Sequence, residues 1–480
     1  MLAEWPGLAL LGLLPACRSA PPPSAPTKAE LSRPAPPEIS AAALEADVGF
    51  LADDAQEGRA TGSPGGVRAG EFLAGRLAAA GLEPAGDDGS YLQRVPFGTR
   101  EYTALPEMWV ASDAGVERAT YGVDFDGVGG LPVDATLSLV VCRSAEDVPD
   151  PDAGVALYLA GNSRERAAWL GDREGYGLLL WSGSRRAGAE PSTRPPRTRH
   201  WVGEAPDRTP TARVRGPLAE RFEAGELRTV RLAAPAADRT PPAFNVVGRL
   251  PGSGVLAGEV VVYSAHYDHL GVKQPAPEDE PDADRIFNGA DDDASGCAAV
   301  VELARALAAE ARAADPAAHR RTQVFLLVTG EELGLLGTEY YLEHPAEPLE
   351  ATICNLNFEM IGRPDALVGG AGRLWLTGFE LTNLGEAWRD EGIEVAADPR
   401  PEQHFFHRSD NYAFAERGIV AQTLSTYDLH TDYHHVTDEL STLDFAHMER
   451  CMGTALEAAR ALADGRIWPA WKPGGDPSRN

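Results

Sequence analysis

Lysine is nearly missing from this 480-residue sequence: Lys28, Lys273 and Lys472 stand alone among 43 basic side chains. Positive charge is short altogether, with 72 acidic residues and a formal net charge of -29. That balance excludes a generic nucleic-acid binder, which needs a basic face. Cysteine is scarce too. Five in the whole chain are too few for a disulfide scaffold. No C-x-x-C pair occurs, which argues against a thiolate zinc site or a thioredoxin-like motif. Long apolar runs are absent beyond the first residues, so a polytopic membrane protein is excluded. No G-x-S-x-G elbow and no H-E-x-x-H pair is found, which disfavours a serine hydrolase and a zincin. What remains is ordinary globular composition, 43% hydrophobic and 24% charged. At roughly one domain per 150 residues this length predicts two or three domains.

The single apolar run, Leu2 to Ala16, is short enough to be a secretion signal and too short to span a membrane. Leu14-Pro15-Ala16-Cys17 resembles the lipobox of bacterial lipoproteins, although Glu4 stands where a basic residue is usual. Residues 1–17 are therefore expected to be a signal peptide, with membrane attachment through a lipidated Cys17. The expected location is the bacterial cell envelope or the exterior. The Pro- and Ala-rich residues 18–38 read as an extended tether. Helical periodicity runs from about Ile39 to Ala55 and again from Gly66 to Ala80, with Gly58-Arg59-Ala60-Thr61-Gly62 between them. Residues 39–102 form the first part of the main domain. From 103 to 236 short strand-like runs (Leu137–Cys142, Val155–Ala160, Gly177–Trp181) alternate with turns, which suggests an inserted strand-rich module. From 237 to 468 strands alternate with helices, the pattern of an α/β domain with a mostly parallel sheet and helices on both faces. Residues 469–480 read as a frayed polar tail. Cys297 and Cys354 look like buried free thiols, although Cys142, Cys297, Cys354 and Cys451 could also form two disulfides.

Four strand candidates of the second half end in side chains able to bind metal. Val260–Ala265 runs into His266-Tyr267-Asp268-His269. Val324–Val328 runs into Glu331-Glu332, Ile353–Phe358 into Glu359, and Ile419–Leu424 into a loop carrying His434. Between the first two, Asn288 to Gly296 is a polar loop with three consecutive aspartates, opening onto a helix. Parallel strands place all these ends on one edge of the sheet, where open α/β folds bind their ligands. Each feature has an ordinary reading. A histidine after a strand can be a satisfied core residue, aspartates before a helix cap it, and paired glutamates can simply be solvated. Glu359 is harder to dismiss, because a carboxylate among apolar residues costs free energy unless paired or metal-bound.

Together these segments resemble the zinc-dependent aminopeptidases related to aminopeptidase Y, glutamate carboxypeptidase and the transferrin receptor. The resemblance runs from about Leu44 to Leu462. It is strongest at Ser264–Gly271, Asn288–Gly296, Thr329–Gly337, Asn357–Arg363 and Asp432–Asp438. It implies a zinc-exopeptidase-like fold, two zinc ions and peptide substrates with a free N-terminus. Carried over by position, His266 and Glu359 hold one zinc, Asp292 bridges, and Glu332 and His434 complete the other. Glu331 is the implied general base, and Asp268 is implied to orient the His266 imidazole. Asp293 and Glu359 stand where the family more often has Asn and Asp. The 103–236 module resembles a protease-associated domain. Carboxypeptidase or glutaminyl cyclase action, or a receptor-like relative without activity, are the alternatives on the same fold.

Overall fold

The computed structural model describes residues 39–479, apart from 172, 184–189, 193, 207, 276–279, 281 and 316. The expected signal segment, Cys17 and the tether lie outside the described residues. Among the described residues no helix is long and apolar enough to cross a membrane.

The main sheet is built on four parallel strands: Thr322–Val328, Val260–His266, Thr352–Phe358 and Val420–Ser425, in that spatial order. Their sequences are buried on both faces, which is why they read as continuous apolar runs rather than alternating ones. Tyr263 and Phe325 face one helical layer, while Val260, Val262, Val324 and Leu326 face another. The flanks depart from the expected parallel pattern. Ala243–Leu250 pairs antiparallel with Thr322–Val328, and Trp375–Leu376 antiparallel with Val420–Ser425. The sheet is therefore mixed, because an apolar run carries no record of strand direction.

Helices cover it where the sequence supplies caps. Ala41–Leu51 starts at Ser40, whose hydroxyl accepts from the Ala43 amide. Pro64–Ala80 starts at Ser63 with Pro64 in its first turn and stops at Gly81, φ 83°. This glycine takes the left-handed conformation that favours a residue without Cβ. Gly296–Ala313 and Phe445–Ala463 bury their apolar faces with these two in the larger core.

Between the first helices and the main sheet's Ala243 strand lies a second sheet of eight strands, including Val133–Cys142, Val155–Leu159 and Leu178–Gly183. It has its own core, drawn from residues between Tyr102 and Ala234. A three-stranded sheet of Arg199–Val202, Phe97–Tyr102 and Ala236–Arg239 adjoins it. The chain leaves the main sheet at Val95 and returns at Ala243, and these two residues are cross-strand partners. The tail, expected to fray, is held: the Lys472 amide donates to Leu381 and the Trp471 indole to Gly418. Cys142, Cys297, Cys354 and Cys451 are buried free thiols.

Candidate metal centre

The strand ends converge at the carboxyl edge of the parallel sheet. His266 closes its strand opposite Val328, and the chain after Val328 turns to present Glu331 and Glu332. Glu359 follows Phe358 directly, its amide bonded to Leu424 of the next strand. Asp292 comes from the irregular turn Ala290–Ser295 that opens the Gly296 helix. His434 arrives on a loop, with φ 58°. A side chain in the left-handed region costs about 1 kcal/mol or more, so the loop must be held by other contacts.

Asp292 divides its two oxygens. Oδ1 lies 3.2 Å from His266 Nε2 and Oδ2 lies 3.1 Å from His434 Nε2. His434 Nε2 is also 3.3 Å from Glu332 Oε2. Two sets of donors result: His266, Asp292 and Glu359 in one, and His269, Asp292, Glu332 and His434 in the other, each set with its donor atoms within 4.8 Å of one another. Every metal-ligand position expected from the sequence is therefore in one place. His269 is the residue that reading missed. Its signal was present in the run His266-Tyr267-Asp268-His269, but the last histidine had no assigned partner.

The donor chemistry fits zinc, which takes His nitrogen and carboxylate oxygen readily. Several donors are orphaned. His266 Nε2, both nitrogens of His269 and Glu332 Oε1 are buried with no hydrogen-bond partner among the described residues. Buried polar atoms ordinarily have one, so the set is built for a ligand.

Charge is crowded here. Burial first, then the neighbouring Glu359, Asp410 and Glu332 carboxylates, push Glu331 well above its ordinary value, although His266 opposes them. Glu359 is pushed up to about 7, again by burial first and then by Asp292 and Asp410. Burial would lower His266 and His434, but the surrounding carboxylates win. His434 rises to about 10, through Asp292 and Glu332.

Asp268 acts differently from the expectation. The His266 Nδ1 contact is to the Asp268 backbone carbonyl at 3.1 Å, while the carboxylate is 3.9 Å away. The carboxylate instead accepts from the Thr61 hydroxyl at 2.9 Å and from the Glu331 amide at 3.2 Å. Behind the site Asp438 accepts the amides of Asp291 and Asp292 at 3.1 and 3.0 Å. Arg363 ties Asp438, Asp432 and Thr442 together and so holds the His434 loop. Arg59, fully buried, donates to the carbonyls of Leu51, Tyr267, Asn288 and Gly289. It links both ligand-bearing turns to the first helix. Beside Glu359 a recess is lined by Trp375, Phe405, Tyr427, Tyr433 and Arg408.

Residues 245–459, which carry every one of these donors, match the profile of peptidase family M28. That stretch is similar to peptidase family M28. The matched stretch contains the whole convergent edge of the sheet, whereas Arg59 and Thr61 reach it from outside that stretch. Solved structures similar to the chain include an aminopeptidase from Aneurinibacillus sp. strain AM-1, 18% identical. That similarity covers 89% of this chain and 94% of that one with a TM-score of 0.53, and it shows a shared fold. A zinc aminopeptidase from Bacillus subtilis is 16% identical over 91% and 98% of the two chains, TM-score 0.46. A Zn-dependent exopeptidase from Parabacteroides distasonis is 14% identical over 88% and 98%, TM-score 0.42. No curated protein matches the chain.

Proposed function

We propose that the protein is an exported two-zinc aminopeptidase that hydrolyses the first peptide bond of substrates with a free N-terminus. The observation that carries this reading is the divided carboxylate of Asp292, with one oxygen toward His266 and the other toward His434. A bridging carboxylate is what a pair of metals ~3.5–4 Å apart requires. His266, Asp292 and Glu359 would hold one zinc, and Asp292, Glu332 and His434 the other. When bound, such a pair supplies Lewis acidity, lowering the pKa of a water from ~15.7 toward ~7 and polarising the scissile carbonyl.

The chain's own groups do the proton work. Glu331 lies beside the donors, its Oε2 3.9 Å from His266 Nε2. Its elevated pKa suits a carboxylate that takes a proton from the attacking water and passes it to the leaving amine. Asp268 fixes the base by holding the Glu331 amide. The excess of carboxylates around the donors favours a substrate end that carries a free ammonium group, and so action at the N-terminus. The aromatic recess beside Glu359 would receive the side chain of the residue released. Arg408, also on its wall, is the observation that favours the carboxypeptidase alternative, because a guanidinium suits a free carboxylate. The second sheet would serve as the protease-associated-like insert, and residues 1–38 as signal, lipid attachment site and tether.

The deciding experiment offers the chain lacking residues 1–37 a panel of aminoacyl anilides and a panel of N-blocked peptides with free C-termini, with metal content counted in parallel. Chelator-sensitive release from free N-termini with two zincs per chain is the expected result. Cleavage only at the carboxyl end would overturn the substrate class. One metal and cyclisation of N-terminal Gln would make the protein a glutaminyl cyclase.

A further inference from the structure

We infer that His269 is a direct ligand of the metal on the His434 side, so that this metal has four protein donors and its partner only three. The inference rests on the two-metal reading above. His269 is 2% exposed, with its side chain wholly buried, and neither ring nitrogen has a hydrogen-bond partner among the described residues. An imidazole left so would cost roughly 1–3 kcal/mol per unsatisfied polar group.

Its Nδ1 lies 2.7 Å from Glu332 Oε1. Both atoms are nevertheless buried without a hydrogen-bond partner among the described residues. Two ligand atoms buried side by side, with the His434 and Asp292 donors around them, fit a shared cation. The remaining spacings agree. His269 Nδ1 is 3.8 Å from Asp292 Oδ2, and His434 Nε2 is 3.1 Å from the same oxygen and 3.3 Å from Glu332 Oε2. Four donors at ~2.0–2.1 Å around a tetrahedral zinc stand about 3.3 Å apart; the spacings straddle that value, with one Glu332 oxygen toward His269 and the other toward His434. The chain also makes room for the ring. Gly289 has φ 54°, and a Cβ there would lie 2.6 Å from His269 Cδ2. The His269 and His434 rings meet edge to face, 5.6 Å between centroids.

The consequence is an unequal pair. Four protein ligands close a zinc site, whereas three leave a position for water or substrate. The His434-side ion is therefore held in reserve as a fixed charge, and the open position belongs to the side of His266 and Glu359. This is also the side that Glu331 approaches and on which the recess opens.

The test is to load the full chain with cobalt(II) and count the exchangeable, paramagnetically shifted imidazole N–H resonances. Three are expected in the wild type, from His266, His269 and His434, and two in His269→Asn. Chelation of His269→Asn should release one ion with an affinity weakened beyond the ~10–100-fold that loss of an outer partner costs. Two signals in the fully loaded wild type would overturn the assignment while leaving two metals in place. A chain that takes up no cobalt would overturn the two-metal reading along with it. Should His269→Asn fail to fold, the wild-type count alone decides.

Discussion

Arg59 offers the sharpest test of how the metal centre is supported. The perturbation is Arg59→Met, which keeps the length of the side chain and removes its five donors. In the native protein Nε donates to Tyr267 at 2.7 Å, Nη1 to Leu51 and Asn288 at 2.6 Å each, and Nη2 to Gly289 at 3.0 Å. Hydrogen bonds to a charged group contribute ~1.5–3 kcal/mol each, so the four together amount to roughly 6–12 kcal/mol. Against this stands the cost of burying a guanidinium, several kcal/mol, which the methionine no longer incurs. The net loss should be about 3–5 kcal/mol, the range seen when a buried charged partner is removed. For a domain of this size that lowers Tm by about 10 °C. Arg59→Lys keeps the charge but not the fork, and should lose about half as much. Urea unfolding followed by tryptophan fluorescence measures the difference, and metal content before and after dialysis measures the site. Both turns bearing His266 and Asp292 lose an anchor, so one or both metals should leak from Arg59→Met. Stability within ~0.5 kcal/mol of wild type, the range of an ordinary surface change, together with full metal retention would refute this account of Arg59.

Three further outcomes are expected. Glu331→Gln should keep its metals and lose ~10²–10⁴-fold in turnover, the usual contribution of a positioned base; normal kcat would end that assignment. His434→Ala should hold fewer than two metals by elemental analysis, and two full equivalents would move the ligand elsewhere, to His435 first. The third concerns pH in the metal-free protein. Glu359 has its pKa raised from 4.5 to about 7 by burial and nearby carboxylates, so the folded chain holds a proton there that the unfolded chain releases. Stability must then fall as pH rises from 4.5 to about 7, by at most ~3 kcal/mol. The difference in urea midpoint between wild type and Glu359→Gln should shrink toward low pH, and a difference independent of pH would dismiss the effect.

Much of the site was legible because strand ends are legible. An apolar run followed by a polar residue fixes where a side chain emerges, and a parallel sheet gathers such residues at one edge. Hence His266 and Glu359 emerge where their strand ends suggest, while Glu332, four residues past Val328, and Asp292, in the turn before the Gly296 helix, were placed by the family resemblance. Asp268 shows where this logic stops. Two residues past the strand end the chain has begun to turn, and its carboxylate faces Thr61 and the Glu331 amide rather than the imidazole. Period-two reasoning no longer applies there. His269, one residue further, was beyond the same horizon. Arg59 was visible only as part of a Gly-Arg break between helices. Its partners are backbone carbonyls from one nearby and two distant segments, and carbonyls leave no mark in a sequence. Strand direction at the flanks was hidden for the reason already given: antiparallel Ala243–Leu250 and parallel Val260–His266 have much the same apolar character.

The pairing of Val95 with Ala243 has an evolutionary meaning. Everything between these residues leaves and re-enters the main sheet at two neighbouring points, and Val202 also packs near Leu333, Leu336 and Tyr340 beside the junction. Closing a longer loop adds only ~0.6 kcal/mol per doubling of length. The junction therefore acts as a socket: the length of chain between its two points can change at little entropic cost, provided the packing of Val202 near Leu333 and Leu336, next to the candidate donor Glu332, is kept. Selectivity for substrate or surroundings can change at that socket without renegotiating the chemistry.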